Sequence, residues 1–462
     1  MKEKSIKTSI LVTAAITSFI APFMISAVNI ALPAIQKTFS VSAIVLSWVT
    51  TSSILSTAVI LVPTGKLADI YGRKKFYICG IIIFTLSSFL CAFACFIELF
   101  IAFRIIQGIG GAMIITTGMA IVISVFPPQE RGKAIGINTA SIYLGLSAGP
   151  FIGGLLTHNF RWEAIFFVTG LMGVIAITLS ILFLKGEWAD AKGEKFDIAG
   201  SIIYGVSLVF IMYGVSLLPA ASAFLFIVLG IIGFFLFVKH EMKVEYPVFE
   251  VRLFKNNKVF TFSSLAALIN YAATYAITFL LSLYLQYIMG LPPQIAGTIL
   301  AVQPIMQAVV SPLAGKLSDK VEPAIIASIG MGLTAIGLFS LVFLQPDTSL
   351  VFVVAILILL GLGFALFSSP NTNAIMSSVE KKYYGVASGA VGTMRTVGMT
   401  FSMAIATILF AIFIGQVKIT PANYPAFSKS AKIAFMIFTV LSAIGIYFSS
   451  VRGKLNRNNG NI

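Results

Sequence analysis

Two arginines stand where arginine is costly. Arg104 and Arg395 fall inside long apolar stretches. A guanidinium there carries a permanent charge and five donors, and it needs carbonyls, water or an anion beside it. At 1.5 Å per helical residue, Arg104 lies about 9 Å from one end of its stretch and can reach the interface by snorkelling. Arg395 lies about 15 Å into another stretch, which predicts that it faces a cavity. Other polar residues stranded in apolar sequence are Asn29, Gln107, Asn138, Asn270, Gln303, Gln307, Asn371 and Asn373. Each suits helix-to-helix hydrogen bonding as well as it suits ligand contact. Tyr143, Tyr271 and Tyr275 offer aromatic walls. The chemistry available is recognition without bond making, because no nucleophile and base pair falls within these stretches. Cys79, Cys91 and Cys95 share one stretch without further ligands and are read as packing residues, while His158 and His240 fall outside the stretches. Neither a metal site nor a cofactor is expected, and the chain is not read as an enzyme.

The elements that position these residues follow from composition. The 462 residues are 58% hydrophobic and 10% charged, with a mean hydropathy of +1.00, more apolar surface than a water-soluble core could hide. Fourteen segments are long enough to cross about 30 Å of hydrocarbon as helices. They are residues 8–33, 44–65, 76–96, 98–122, 134–157, 164–184, 199–218, 221–239, 260–288, 294–315, 323–344, 349–377, 385–415 and 431–451. The first, an apolar stretch of about 24 residues from Ile10 to Pro33, exceeds a signal-peptide core and is read as a retained helix. Fourteen spans place both termini on one side. That side carries 24 of the 31 Lys and Arg residues and the other carries 5, which predicts cytoplasmic termini. The net charge of +15 is thus topology, with no stripe for nucleic acid.

The chain repeats itself. Gly65-Lys66-Leu67-Ala68-Asp69 ends the second span and Gly315-Lys316-Leu317-Ser318-Asp319 ends the tenth, 250 residues later; Gly132, Ala134 and Gly136 are echoed by Gly385, Ala387 and Gly389. Two parallel six-helix halves with a pair inserted between them explain both echoes, and such repeats place a substrate site between halves near midplane. The boundaries are an N-terminal bundle over 1–198, inserted helices over 199–240, a cytoplasmic linker over 241–259 and a C-terminal bundle over 260–462. In the fifth span Gly145, Gly149 and Gly153 are four apart and share one helix face, which lets a neighbouring backbone approach. Pro150 beside them cannot bond the carbonyl of Leu146.

The connection from Gly65 through Asp69, Gly72 and Arg73 to Lys75 resembles the loop between helices two and three of the major facilitator superfamily. Arg104, Gln107, Gly108 and Gly110 resemble a second motif of that family. Gly136, Gly145, Gly149, Pro150, Gly153 and Gly154 are similar to the motif of its antiporters. Val28 to Pro33, Trp48-Val49, Arg161-Trp162, Asp197 to Gly200 and Pro247 to Phe254 extend the resemblance to the fourteen-helix drug:proton antiporter branch over nearly the whole chain. It implies an all-α membrane protein with the major facilitator fold, gating roles for Gly65, Asp69, Gly72, Arg73 and Asp319, and efflux rather than uptake.

One feature departs from that branch, whose members often carry an acid where this chain has Met24. None of the sixteen acids sits near midplane. Proton coupling would then use an interfacial acid such as Asp69, Glu98 or Glu130, or protons on the substrate. Without a carboxylate to meet a cation, anionic, zwitterionic or neutral amphiphiles fit the two arginines better. The expected function is proton-coupled export of drugs or amphiphilic small molecules across the cell membrane by alternating access, by a monomer in contact with lipid. The alternatives are an exporter of one anionic or neutral metabolite without ordinary proton coupling and, more remotely, a membrane sensor that transports nothing.

Overall fold

The computed structural model describes residues 2–126, 128–184, 186–379 and 384–453. Within them the chain forms α1 (Lys2–Phe39), α2 (Ala43–Tyr71), α3 (Arg73–Ala92), α4 (Ile97–Val125), α5 (Pro128–Asn159), α6 (Glu163–Phe183), α7 (Ile198–Ser216) and α8 (Ala221–Glu241). A short α9 (Arg252–Asn256) follows, then α10 (Lys258–Thr274) and α11 (Ala276–Leu283) with a π-turn over Tyr284–Ile288, which together make the ninth span. The last elements are α12 (Pro293–Lys320), α13 (Pro323–Leu341), α14 (Leu350–Ser377), α15 (Tyr384–Phe413) and α16 (Tyr424–Val451). Fourteen spans are long and apolar enough to cross a membrane, so the protein is a multi-pass membrane protein. Helices satisfy their own backbone groups, as hydrocarbon requires.

Packing reveals the repeat. Against α1 lie α5 and α6; against α10 lie α15 and α16. The groupings α3 with α4, α2 with α4 and α3 with α6 are matched by α13 with α14, α12 with α14 and α13 with α16. The halves meet with the same symmetry, α2 against α15 and α5 against α12. The inserted hairpin α7–α8 packs through α7 on α2 and α15. Phe224, Leu225 and Phe235 of α8 are more than half exposed, the expected state of a helix facing lipid.

Several boundaries differ from the sequence reading. The first span does not stop at Pro33 but continues to Phe39. The connection after the second span is mostly helix: α2 runs to Tyr71 and only Gly72, at φ 118°, separates it from α3. No L side chain adopts that conformation readily, so a glycine is needed for so sharp a break. Cys95 lies beyond the end of α3, while Cys79 and Cys91 lie within it. His240, read as outside the spans, occupies the last turn of α8. The fourteenth span begins at Tyr424, earlier than expected, because Pro425 suits the first turn of a helix.

The ends of the bundle are not alike. We call the end bearing both chain termini the terminus end and the other the far end. One large hydrophobic cluster runs through the bundle, and toward the far end it joins side chains of both halves, among them Ile35, Ile44, Phe279, Leu285 and Phe410. A second cluster also joins the halves, Leu61 and Val62 of α2 with Val397 of α15 beside Tyr204 of α7, while two small clusters toward the terminus end belong to one half each: Ala14, Val122 and Phe126 on one side, Phe260, Ile375 and Ala387 on the other.

Candidate functional site

Proline has no N–H, so Pro33 leaves the carbonyl of Asn29 without its helical donor. Ser282 of α11 supplies one across the seam, its hydroxyl donating to the Asn29 carbonyl. Gln286 of the π-turn donates its amide to the next carbonyl, that of Ile30, at 3.0 Å, and the Tyr287 hydroxyl donates to Gln36 Oε1. Nearby, Ala43 N donates to Val417 O at 2.9 Å, Ser42 Oγ to Gln416 Oε1 at 3.4 Å, and the Ser47 and Thr407 hydroxyls are 3.0 Å apart. All these bonds join the two halves, and all lie toward the far end. The Asn29 side chain turns to its own half, its Oδ1 accepting from Thr50 at 3.2 Å.

Deeper in the bundle the ninth span breaks. Thr274 Oγ1 takes the carbonyl of Asn270 at 2.7 Å, and Ala276 N leaves the helical ladder to donate to Ser402 Oγ of α15 at 2.9 Å. Tyr275 sits at the break between α10 and α11. Broken helices of this kind occur inside a bundle where neighbours can satisfy the freed groups. The Tyr275 hydroxyl is buried without a hydrogen-bond partner, and the charges of Arg104 and Arg395 both act on it. Arg395 covers one face of the Tyr271 ring at 5.6 Å, and Tyr143 of α5 acts on Tyr271 from the other half. Arg395 and Tyr271 are thus in contact, and Arg104, Tyr275 and Tyr143 lie near enough to them, from both sides of the seam, to interact electrostatically.

The two arginines are held differently. Arg104 is 1% exposed, which removes the snorkelling reading. Its Nε donates to Val49 O at 3.1 Å, one terminal nitrogen to Ser53 Oγ at 2.7 Å and the other to Gln107 Oε1. Gln107 passes the chain on to Ser88 at 2.7 Å. Neighbouring polar atoms stop Arg104 from reaching outward. For Arg395, the Tyr271 ring is the one partner among the described residues. Asn138 accepts from Ser18 at 2.7 Å, a contact between α5 and α1 rather than with the cluster. Asn270 is fully buried and neither of its amide atoms has a partner. Gln303 and Gln307 are buried on α12. Met24, at the position that the resemblance would make acidic, is 1% exposed.

The glycine face of α5 lies on α1. A methyl added at Gly145 would meet the carbonyl of Phe19, one at Gly149 the Ser26 hydroxyl, and one at Gly153 the Ala27 backbone at 2.9 Å. Gly154 and the carbonyl of Pro150 meet α12 instead, at Pro293 and Gly297. This short stretch of α5 thus touches the neighbour in its own half and the partner in the other.

The remaining motif residues stay within their own half. Arg73 Nε donates to Asp69 Oδ1 at 2.7 Å, and a terminal nitrogen reaches Asp190 and Ser124, each at 2.8 Å. The Ala191 N–H donates to the carbonyl of Asp69 at 3.0 Å and Lys66 pairs with Glu194. Gly72 packs against Glu187, and Gly65 lies in the α2 helix beside Thr116. The segment after α6 is thereby clasped to α2 and α3. The backbone of Asp319 lies in α12; its side chain, like that of Glu130, and all of Glu380 lie outside the described residues.

Two groups were not anticipated as such, although Asp197 to Gly200 belongs to the resemblance. Arg452, counted as an ordinary basic loop residue, is 1% exposed and donates to Asn371 Oδ1 at 2.7 Å, Pro323 O at 2.7 Å and Ser263 Oγ at 3.2 Å. Burial pushes its guanidinium down to about 10. It ties the terminus ends of α10, α13 and α14 to the end of α16. Asp197 caps α7 by accepting from Gly200 N at 3.0 Å and lies 3.0 Å from His240 Nε2. Glu241, fully buried, accepts from Phe249 N at 2.9 Å. Burial raises the Asp197 carboxyl, but the Gly200 amide and His240 outweigh it and hold the group below its usual range.

A family profile described as Major Facilitator Superfamily matches residues 14–403. The chain is a member of the major facilitator superfamily. As such it is a transporter and not an enzyme, and its fourteen spans are the major facilitator fold. Among relatives of this superfamily protein, the riboflavin transporter RibZ of Clostridioides difficile (strain 630) is 32% identical over 416 residues, covering 90% of this chain and 89% of the relative. The multidrug resistance protein Stp of Mycobacterium tuberculosis (strain CDC 1551 / Oshkosh) is 31% identical over 384 residues, 82% and 71% of the two chains. Among solved structures, a bacterial homologue of the human lysosomal transporter Spinster, in an inward-facing and unoccupied conformation, superposes with a TM-score of 0.71 at 15% identity, over 97% of each chain. The nucleoside transporter NupG gives 0.67 at 12% identity, over 97% of this chain and 99% of NupG.

Proposed function

We propose that this transporter exports amphiphilic small molecules across the cell membrane, its two halves rocking so that the far end and the terminus end open in turn. The observation that carries the reading is the grouping of the inter-half hydrogen bonds. Ser282 to Asn29, Gln286 to Ile30, Tyr287 to Gln36, Ala43 to Val417 and Ser42 to Gln416 all lie toward the far end. With the termini in the cytoplasm, as the Lys and Arg distribution favours, this conformation is open inward and ready to load. Export is favoured by relatives named for resistance: Stp, and the tetracenomycin C resistance and export protein of Streptomyces glaucescens, 27% identical over 406 residues. Asp69, Arg73 and Asp319 would regulate the terminus end when it closes, Asp69 and Arg73 exchanging partners within their half for partners across the seam. Protons would couple through an acid at a helix end or through the substrate, since Met24 holds the position where the branch often has an acid.

A carrier dedicated to one metabolite is the second reading. The directional polar groups around Tyr275 favour it, because a site for many unrelated compounds is better served by adaptable apolar walls.

The test is a reversible lock. In a chain freed of Cys79, Cys91 and Cys95, the pair Ser42→Cys and Gln416→Cys is oxidised to a cross-link across the far end. Efflux of a panel of amphiphilic dyes from cells should stop on oxidation and return on reduction. Unchanged efflux with the cross-link complete would rule out rocking about this end, and the breadth of the panel separates the two readings.

A further inference from the structure

The cluster at the break of the ninth span has a definite charge. Arg104 and Arg395 approach it from opposite halves, and among the described residues no acid pairs with either. They are not equally available. The donors of Arg104 are engaged by Val49, Ser53 and Gln107, so it contributes field rather than contact. The guanidinium carbon of Arg395 lies 5.6 Å from the centre of the Tyr271 ring, and among the described residues no hydrogen bond or ion pair occupies its N–H groups. Those donors form a fork that matches the two oxygens of a carboxylate or sulfonate. The Tyr275 hydroxyl, buried, unpartnered and within the field of both arginines, is a further donor for such a group. One helical turn before it the Tyr271 ring lies beside Arg395 and edge-on to Phe364 at 5.5 Å, and Tyr143 of the other half is near enough to Tyr271 to interact with it electrostatically.

Taking the transport reading above as its basis, we propose that the transported compound is an aromatic organic anion, its acid group held by Arg395 and the Tyr275 hydroxyl and its ring packed among Tyr271 and Tyr143. A cation of the same shape would meet two like charges with no carboxylate to offset them. A neutral compound would leave the Arg395 charge without an anionic partner.

Two dyes built on the same xanthene ring system and differing in charge test this. Carboxyfluorescein is an anion at neutral pH and rhodamine 123 a cation. Fluorescence polarisation of each is followed as detergent-purified protein is added, with a single symmetrical elution peak required of every variant. The wild type should bind carboxyfluorescein saturably and at least tenfold more tightly than rhodamine 123. Arg395→Gln should weaken carboxyfluorescein at least tenfold, Arg395→Lys should recover only part of that loss because an ammonium restores the charge without the planar fork, and Tyr275→Phe should weaken it severalfold. Equal or tighter binding of rhodamine 123, or no saturable binding of carboxyfluorescein, overturns the proposal. So does an Arg395→Gln protein that binds carboxyfluorescein as the wild type does. The cross-link test of rocking can succeed in all of these cases, so the substrate class and the transport reading fail separately.

Discussion

A proline at position 33 cannot bond the carbonyl of Asn29, and in hydrocarbon that carbonyl must find a donor elsewhere. Sequence alone marks Pro33 as the end of a span because in water it commonly is one. In the bundle Ser282 answers the carbonyl and the helix continues to Phe39. The free carbonyl was legible, four residues before the proline; its partner was not, because Ser282 is 253 residues away and only folding brings it near. Arg104 teaches the same. Its motif was visible, but whether it snorkels depends on Val49, Ser53 and Gln107, whose positions the spacing does not reveal. A prediction follows for Ser282→Ala. Loss of one such hydrogen bond should cost the closed far end about 1 kcal/mol, raising the population open at that end about fivefold. Spin labels at Lys37→Cys and Lys418→Cys, in the cysteine-free chain, should show a larger long-distance fraction in the variant. An unchanged distance distribution would mean that the bond does not help hold that end.

Among the elements, the glycine face of α5 is the part best read from sequence, because four-residue spacing fixes which side of a helix is bare. The neighbour it admits, α1, had to come from the structure. The α2–α3 connection shows the converse: its motif was legible and its form was not, since five residues of polar character suggested a loop where α2 continues to Tyr71. The α7–α8 hairpin carried little polar signal along its spans, yet its terminus end gathers Asp197, His240 and Glu241. Those residues are 43 and 44 positions apart, and they meet only because the hairpin folds back on itself. The carboxyl of Asp197 is held below its usual range, chiefly by the Gly200 amide and His240 against the effect of burial. A lowered carboxylate stabilises the fold above its unfolded value, about 3.9, and that contribution is lost as pH falls through the lowered folded value. Asp197→Asn should therefore lower Tm at pH 7 and lose less on acidification below about pH 4 than the wild type does. Parallel acid limbs in the two Tm-against-pH profiles would show that the cap and the His240 contact do not stabilise the hairpin.

For the whole molecule, the properties legible from sequence are those that sum over many residues. Hydropathy gives fourteen spans, and the GKLAD and GKLSD echoes give the repeat that the packing of α1–α6 and α10–α16 reproduces. The closed end was not legible, since it depends on pairings between halves more than 250 residues apart, such as Ser42 with Gln416. The orientation inferred from 24 against 5 basic residues makes a direct prediction. In intact cells expressing the cysteine-free chain, an impermeant maleimide should label Lys418→Cys and leave Lys74→Cys unlabelled until the membrane is opened; the reverse pattern would invert the topology. The inserted hairpin has a consequence at this scale as well. Because α7 lies on both α2 and α15, it roofs one of the two seams through which the bilayer could communicate with the interior, and leaves the α5–α12 seam to the lipid. For a solute dissolved in the membrane, the seam left uncovered by the hairpin is the one between α5 and α12, where Gly154 packs on Pro293 and Gly297 on Pro150.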